Sequence, residues 1–219
     1  MSDRHRSNRP EERRAGREQR REERRRQLLE AADRVVRRRG PEASMDDIAT
    51  EAGITKPILY KHFGDKGGLY QALAERYVTA LMAELRAALS SESEPSARID
   101  TTIDAYLSFV EREREAYRFL MHRAVGERPE AQAAVTDFIR QLAEEIAVTL
   151  TEELQRLGLD PGGATAWAHG MVGMVQLAGD WWLEQSPMPR ARLVDYLSVL
   201  LWRGFSRLDV PESIAPAAR

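Results

Sequence analysis

The sequence contains no cysteine. That absence excludes a disulfide framework, a thiolate nucleophile and any cysteine-ligated zinc site, and it suits a reducing cytosol. Long apolar runs are missing too: none reaches the ~18 consecutive residues of a membrane-spanning helix. The charged N-terminus is followed by no apolar region, so no secretory leader is expected. No segment alternates apolar and polar residues as a half-buried strand would. There is no nucleophile elbow, no glycine loop to cradle phosphate and no Cys/His cluster, so neither an enzyme nor a resident metal or cofactor is expected. Lysine is nearly missing. Of 33 basic residues only three are lysines, and all three fall in KPILYKHFGDK, residues 56–66.

What is present is enough for one domain of ordinary size plus a small one, or for two small ones. The chain has 219 residues, 42% hydrophobic and 31% charged. The net charge of −2 hides an asymmetry. Residues 1–68 carry 18 basic against 13 acidic side chains, while residues 69–219 carry 15 against 22. A basic front suggests a polyanionic partner. Residues 1–26 hold 11 arginines and six acids with almost nothing apolar, so this arm cannot order itself by collapse. Its Arg and Glu residues favour helix and stand at helical pair spacings, which predicts a frayed helical extension of whatever follows.

From Gln27 onward the spacing is helical throughout. Leu28, Leu29, Ala31, Ala32, Val35 and Val36 mark a first helix, stopped at Gly40–Pro41. Ser44 and Asp47 resemble a capping box for a short second helix that Gly53 ends. Thr55 is placed as N-cap of a third, with Pro57 in its first turn and Gly64 at its end. Asp65 caps a longer helix through Leu89. Beyond SSESEPS at 90–96 the periodicity gives further helices, the last from about Arg190 to Arg207. The chain reads as all-α.

Three helices in residues 27–63, the last two short and joined by a tight glycine turn, describe a helix-turn-helix. The third must fit a major groove about 12 Å wide. At about 100° per residue, Leu59 and Phe63 lie about 40° apart and form its inner side. The opposite pole falls on Lys61, flanked by Pro57 and Ile58, with Tyr60 and His62 on the flanks. Lys56 projects from the N-terminal tip, where backbone N–H groups also face a phosphate. Ser44 and Thr55, at the starts of the two short helices, complete the residues expected to face DNA.

AGITKPILYKHFGDKGGLYQAL, residues 52–73, resembles the DNA-binding signature of TetR-family transcriptional regulators. The resemblance is strongest over residues 27–75. It implies a repressor that binds a palindromic operator as a homodimer and is released by a small effector, and it implies that Lys66 and Tyr60 contact phosphate. Gly67–Gly68 departs from the pattern, since the family places helix formers there. Two glycines cost about 1 kcal/mol each inside a helix, so a late or frayed start of the linking helix is expected.

The expected organisation is an arm at 1–23, a DNA-binding domain at 24–70, an effector-binding and dimerisation domain at 71–209 and a tail at 210–219. Ala166, Gly170 and Gly173 share one side of a long apolar helix. In the family the last two long helices pair with their copies, so these residues and Leu197 and Leu201 are the expected dimer contacts. Residues 167–184 and 115–122 also look like an actinobacterial branch that senses long-chain acyl-CoA and controls lipid synthesis. That implies an apolar effector, an acyl-CoA or another lipid; the residues expected to border it are drawn from Tyr106, Phe109, Phe119, Met121, His122, Met174 and Trp181. A cytoplasmic location is expected. The other reading is a helical adaptor whose basic arm binds a protein or membrane surface without sequence-specific DNA binding.

Overall fold

The computed structural model describes residues 9–91, 94–124 and 129–205, and every regular element among them is helical. α1 (Arg9–Arg39) begins well before the apolar stripe. From Arg14 to Gln27 no side chain is buried, yet these turns carry helix-spaced pairs such as Arg26 with Glu23, 2.6 Å apart. Further along, Leu28, Ala31, Ala32, Val35 and Val36 are buried. A short 3-10 turn over Gly40–Glu42 ends the helix.

α2 (Met45–Glu51) starts on the expected capping box. Asp47 N–H donates to Ser44 Oγ at 3.2 Å, and Ser44 N–H donates to the Asp47 carboxylate at 3.1 Å. It ends at Gly53, whose φ of +64° few other residues adopt cheaply. Ile54 N–H reaches back to the Ala49 carbonyl and Gly53 N–H to that of Thr50, which satisfies the last turn and sends the chain directly into the next helix.

α3 (Lys56–Phe63) follows an extended Thr55, but the Thr55 hydroxyl makes no cap hydrogen bond. The second helical residue is Pro57, which has no N–H to offer, and Ile58 N–H is already bonded to the Thr55 carbonyl at 3.0 Å. α4 (Lys66–Leu89) begins at Lys66 without delay, against the expectation drawn from its two glycines. Asp65 Oδ1 accepts the Gly68 N–H at 2.8 Å. A Cβ on Gly68 would stand 2.0 Å from the Phe63 carbonyl oxygen. The glycine therefore permits a close approach of the two helices, and the tight α3–α4 junction offsets its propensity cost.

The described residues form two compact units. The first takes in the chain up to Glu75 together with Glu115–Ala131, so α6 (Arg114–Arg118) and the π-helical turn Phe119–Ala124 contribute to it. There Phe119 meets Tyr70 edge-on, with ring centroids 4.8 Å apart, and both side chains are fully buried.

The second unit comprises Arg76–Arg114 and the chain from Gln132 onward. It holds the end of α4, α5 (Pro95–Arg112), most of α7 (Pro129–Arg156), α8 (Ala164–Gln185) and α9 (Arg190–Phe205). α9 packs along α5. Arg190 forks across the pair, 2.9 Å from Asp104 and 2.6 Å from Glu111. α8 meets α5 at Gly179, where a Cβ would stand 2.9 Å from the Tyr106 ring. The α8–α9 turn is held by Trp182 Nε1, which donates to the Met188 carbonyl at 2.8 Å.

Candidate nucleic-acid interface

α3 owes its orientation to two side chains. Leu59 is fully buried and Phe63 is 8% exposed, so together they seat the helix on the first unit. On the far side Pro57, Ile58 and Lys61 are exposed, while Tyr60 and His62 on the flanks are half-buried. This is the division the helical spacing predicts. The result is a short helix with an apolar root and an outer face of one cation, one proline and one isoleucine.

Its surroundings are basic but not uniformly free. Lys56 Nζ lies 2.8 Å from Asp46 of α2, and the hydrogen bond to that carboxylate raises its pKa. Lys66, at the start of α4, sits over the Tyr70 ring at 5.1 Å. Two further ties hold α2 on α1: Glu51 pairs with Arg34 and Arg38 at 2.8 and 2.6 Å, and Asp47 pairs with Arg39 at 2.8 Å. The hydrogen bond from Ser44, first among several causes, holds the Asp47 carboxyl below its usual range. Ser44 is thus occupied in the cap.

The basic surface extends beyond α3 to the end of the arm. The Arg25 guanidinium lies over the Phe63 ring at 5.0 Å. The His62 imidazole has a lowered pKa, first through burial and then through the charges of Arg21, Arg24, Lys61 and Arg25. The arm's last arginines therefore stand beside the end of α3. The signal was available: Arg21, Arg24 and Arg25 precede Leu28 by seven, four and three residues, which puts them on its helix face.

The residues expected around an effector divide between the units. Tyr106 and Phe109 on α5 are buried, Met174 on α8 is half-buried and Trp181 is 41% exposed, all in the second unit. Phe119 is buried against Tyr70 and Met121 is half-buried, both in the first. The His122 side chain lies outside the described residues, as does the tail at 210–219. Of the expected dimer contacts, Ala166 and Gly170 are exposed and Gly173 half-buried, and a Cβ on either glycine would meet nothing within 4 Å. Leu197 and Leu201 point the other way and are buried in the chain itself. The exposed apolar side chains of α9 are Tyr196, Val199, Leu200 and Trp202. α9 is apolar on several sides, and α5 covers the side that carries Leu197 and Leu201.

Among the described residues no group of His, Asp or Glu side chains gathers as a metal site, and no helix is long and apolar enough to cross a membrane. Residues 28–73 match the family model described as bacterial regulatory proteins, tetR family, and residues 84–214 match that of the tetracyclin repressor-like C-terminal domain. The chain is 34% identical over 177 residues to an uncharacterised HTH-type transcriptional regulator of Mycobacterium tuberculosis, covering 80% of this chain and 74% of that one. It is 30% identical over 189 residues to the HTH-type transcriptional activator FasR of Mycolicibacterium smegmatis, covering 85% of each. A solved tetR-family transcriptional regulator from Streptomyces coelicolor superposes with a TM-score of 0.67 at 26% identity, over 84% of this chain and 81% of that one.

Proposed function

With the chain a member of the TetR family of DNA-binding transcriptional regulators, we propose that two copies bind the half-sites of a palindromic operator through α3. The observation that carries this reading is the polarity of α3, with Leu59 and Phe63 buried and Lys61 exposed between Pro57 and Ile58. Lys61 is the base-reading side chain, donating to guanine O6 or N7 on a groove floor that Pro57 and Ile58 crowd. Lys66 and Tyr60 grip phosphate, joined by Lys56 and the residues around Ser44, Thr55 and His62. One short helix reads few base pairs, so specificity comes from two half-sites about one helical turn apart. The site of action is the cytoplasm, where the DNA is.

The second copy joins through α8 and α9. Support for this comes from the exposure of Leu177, Leu200 and Trp202 and from the open space over Gly170 and Gly173. The effector is an apolar molecule held in the second unit near Tyr106, Phe109, Met174 and Trp181, and long-chain acyl-CoA is the first candidate. Its binding changes operator affinity by favouring one separation of the two reading heads. The similar mycolicibacterial protein is named an activator, so repression, the common mode of the family, is left to the transcription assay.

The test is selection of genomic fragments by the purified protein, footprinting of the operator, and titration of three variants. Lys61→Ala costs about 1–3 kcal/mol per half-site and relaxes preference at one base position. Lys66→Ala weakens all sequences alike and flattens the salt slope by about 2 per dimer. Lys61→Arg reads whether the crowded floor demands the slimmer head. A protein that selects no fragment over scrambled DNA would be the basic-armed adaptor instead. Palmitoyl-CoA added to the operator complex is expected to release or tighten it, and no effect removes acyl-CoA from consideration.

A further inference from the structure

The N-terminal segment is unusually rich in arginine, and α1 carries it as regular helix from Arg9 onward. Helical geometry then sorts its charges. At about 100° per residue, Arg14, Arg17, Arg21, Arg24 and Arg25 fall within about 100° of arc. Of the acids in the helical part of the segment, from Arg9 onward, none falls inside that arc; Glu11, Glu18 and Glu22 lie beyond one edge and Glu12 and Glu23 on the opposite side. The same arc, followed toward the C-terminus, carries Leu28, Ala32 and Val35, which are buried in the first unit. The face that packs the helix-turn-helix therefore continues outward as a row of arginines.

The row meets the reading helix directly. Arg25 covers the Phe63 ring at 5.0 Å, with Glu22 4.0 Å from its guanidinium. Arg24 donates to the neutral Gln27 at 3.2 Å. Arg21 and Arg24 act on His62 at the end of α3. Arg14, Arg17 and Arg21 are exposed, and no carboxylate among the described residues is paired with them. From Arg14 to Arg25 the helix rises about 17 Å at 1.5 Å per residue. That length matches about five base pairs of duplex at 3.4 Å each.

We propose that the arginine row of α1 binds backbone phosphates of the duplex flanking each operator half-site. The proposal rests on the DNA-binding reading of α3 and extends it outward. A guanidinium row with regular helical spacing fits a regularly spaced polyanion, and its continuity with the seat of α3 assigns it to the same DNA. Phosphate contacts carry no sequence information, so the row adds affinity and orientation while α3 supplies the preference.

The experiment compares the full chain with R14Q/R17Q/R21Q and R14K/R17K/R21K, and with Lys61→Ala in parallel. The duplexes are the footprinted genomic operator with its flanks, the same operator trimmed to its core, and a scrambled duplex of full length. Glutamine preserves helix propensity, and circular dichroism checks the fold. The glutamine triple is expected to flatten the slope of log affinity against log salt by about 5 per dimer, six phosphates at about 0.9 each, on both full-length duplexes. Preference for the operator is retained, and on the trimmed core the difference from wild type largely vanishes. The lysine triple keeps the wild-type slope. An unchanged slope in a natively helical glutamine triple overturns the proposal and leaves the row to an acidic protein partner. Equal losses in the lysine and glutamine triples overturn it too, since charge would then not be what matters. If wild type does not prefer its operator at all, the reading of α3 fails. If that preference is present and Lys61→Ala erodes it while the glutamine triple keeps the wild-type slope, only the arginine row fails.

Discussion

Among the described residues of the first unit, Ile58 on α3 is the single large apolar side chain left exposed, at 43%. In the second unit α8 and α9 leave Leu177 exposed at 71%, Leu200 at 61% and Tyr196, Val199, Trp181 and Trp202 between 40 and 53%. The glycines repeat the contrast. Gly68 in the first unit is pressed against the Phe63 carbonyl, whereas Gly170 and Gly173 in the second face open space. The first unit is finished within one chain and turns charge outward. The second places in a helix glycines that no contact among the described residues explains, and the same two helices leave aromatic side chains exposed. On the proposed function, the first of these surfaces meets a polyanion and the second meets another copy of the chain.

Four substitutions probe that contrast, beginning with the most disruptive. Gly68→Ala puts a methyl group 2.0 Å from a backbone oxygen that cannot swing aside. A destabilisation of about 3 kcal/mol is expected in urea unfolding, with operator affinity falling as the α3–α4 junction opens. A neutral result would mean that the junction is looser than described. Gly173→Leu has room within the chain, so monomer stability should hold while the dimer weakens by about 2 kcal/mol, or about 30-fold in dissociation constant. Sedimentation of wild type as a monomer at micromolar concentration would remove the basis for this. Ser44→Ala removes the cap of α2 and should cost about 1 kcal/mol, confined to the first unit; amide exchange locates the loss.

The smallest effect is that of pH. The folded-state pKa of His62 is lowered below the usual value of 6.5, so between the two values the unfolded chain binds more protons than the folded one. His62 therefore contributes to a loss of stability as pH falls through about 6.5, and His62→Gln should remove that part of the loss. Melting curves at pH 7.5 and 5.5 for both proteins measure it. R14Q/R17Q/R21Q should reduce the effect, because Arg21 is one of its causes; a wholly unchanged difference would count against the arginines standing where α1 places them.

The legible parts of this molecule were those decided within a few residues. The Ser44–Asp47 box, the turn at Gly53 and the two-sided α3 follow from local spacing and came out as expected. Gly68 did not, because its partner is the Phe63 carbonyl across a helix junction, and propensity scales know nothing of that contact. On α9, apolar residues surround the helix, so periodicity could not choose between Leu197 and Leu201 on one side and Tyr196 and Leu200 on another. The choice is made by α5, which is remote in sequence. Thr55 was placed correctly and given the wrong task, since Pro57 has no N–H to offer it.

The pair between Lys56 and Asp46 has a bearing on how binding responds to salt. Asp46 serves Lys56 as a resident counterion, 2.8 Å away. When Lys56 turns to a phosphate it frees a cation from the DNA, but it also uncovers a carboxylate that draws a cation back. Its net release is smaller than that of a lysine with no resident counterion. Lys56→Ala should therefore lower operator affinity while leaving the salt slope nearly as it was.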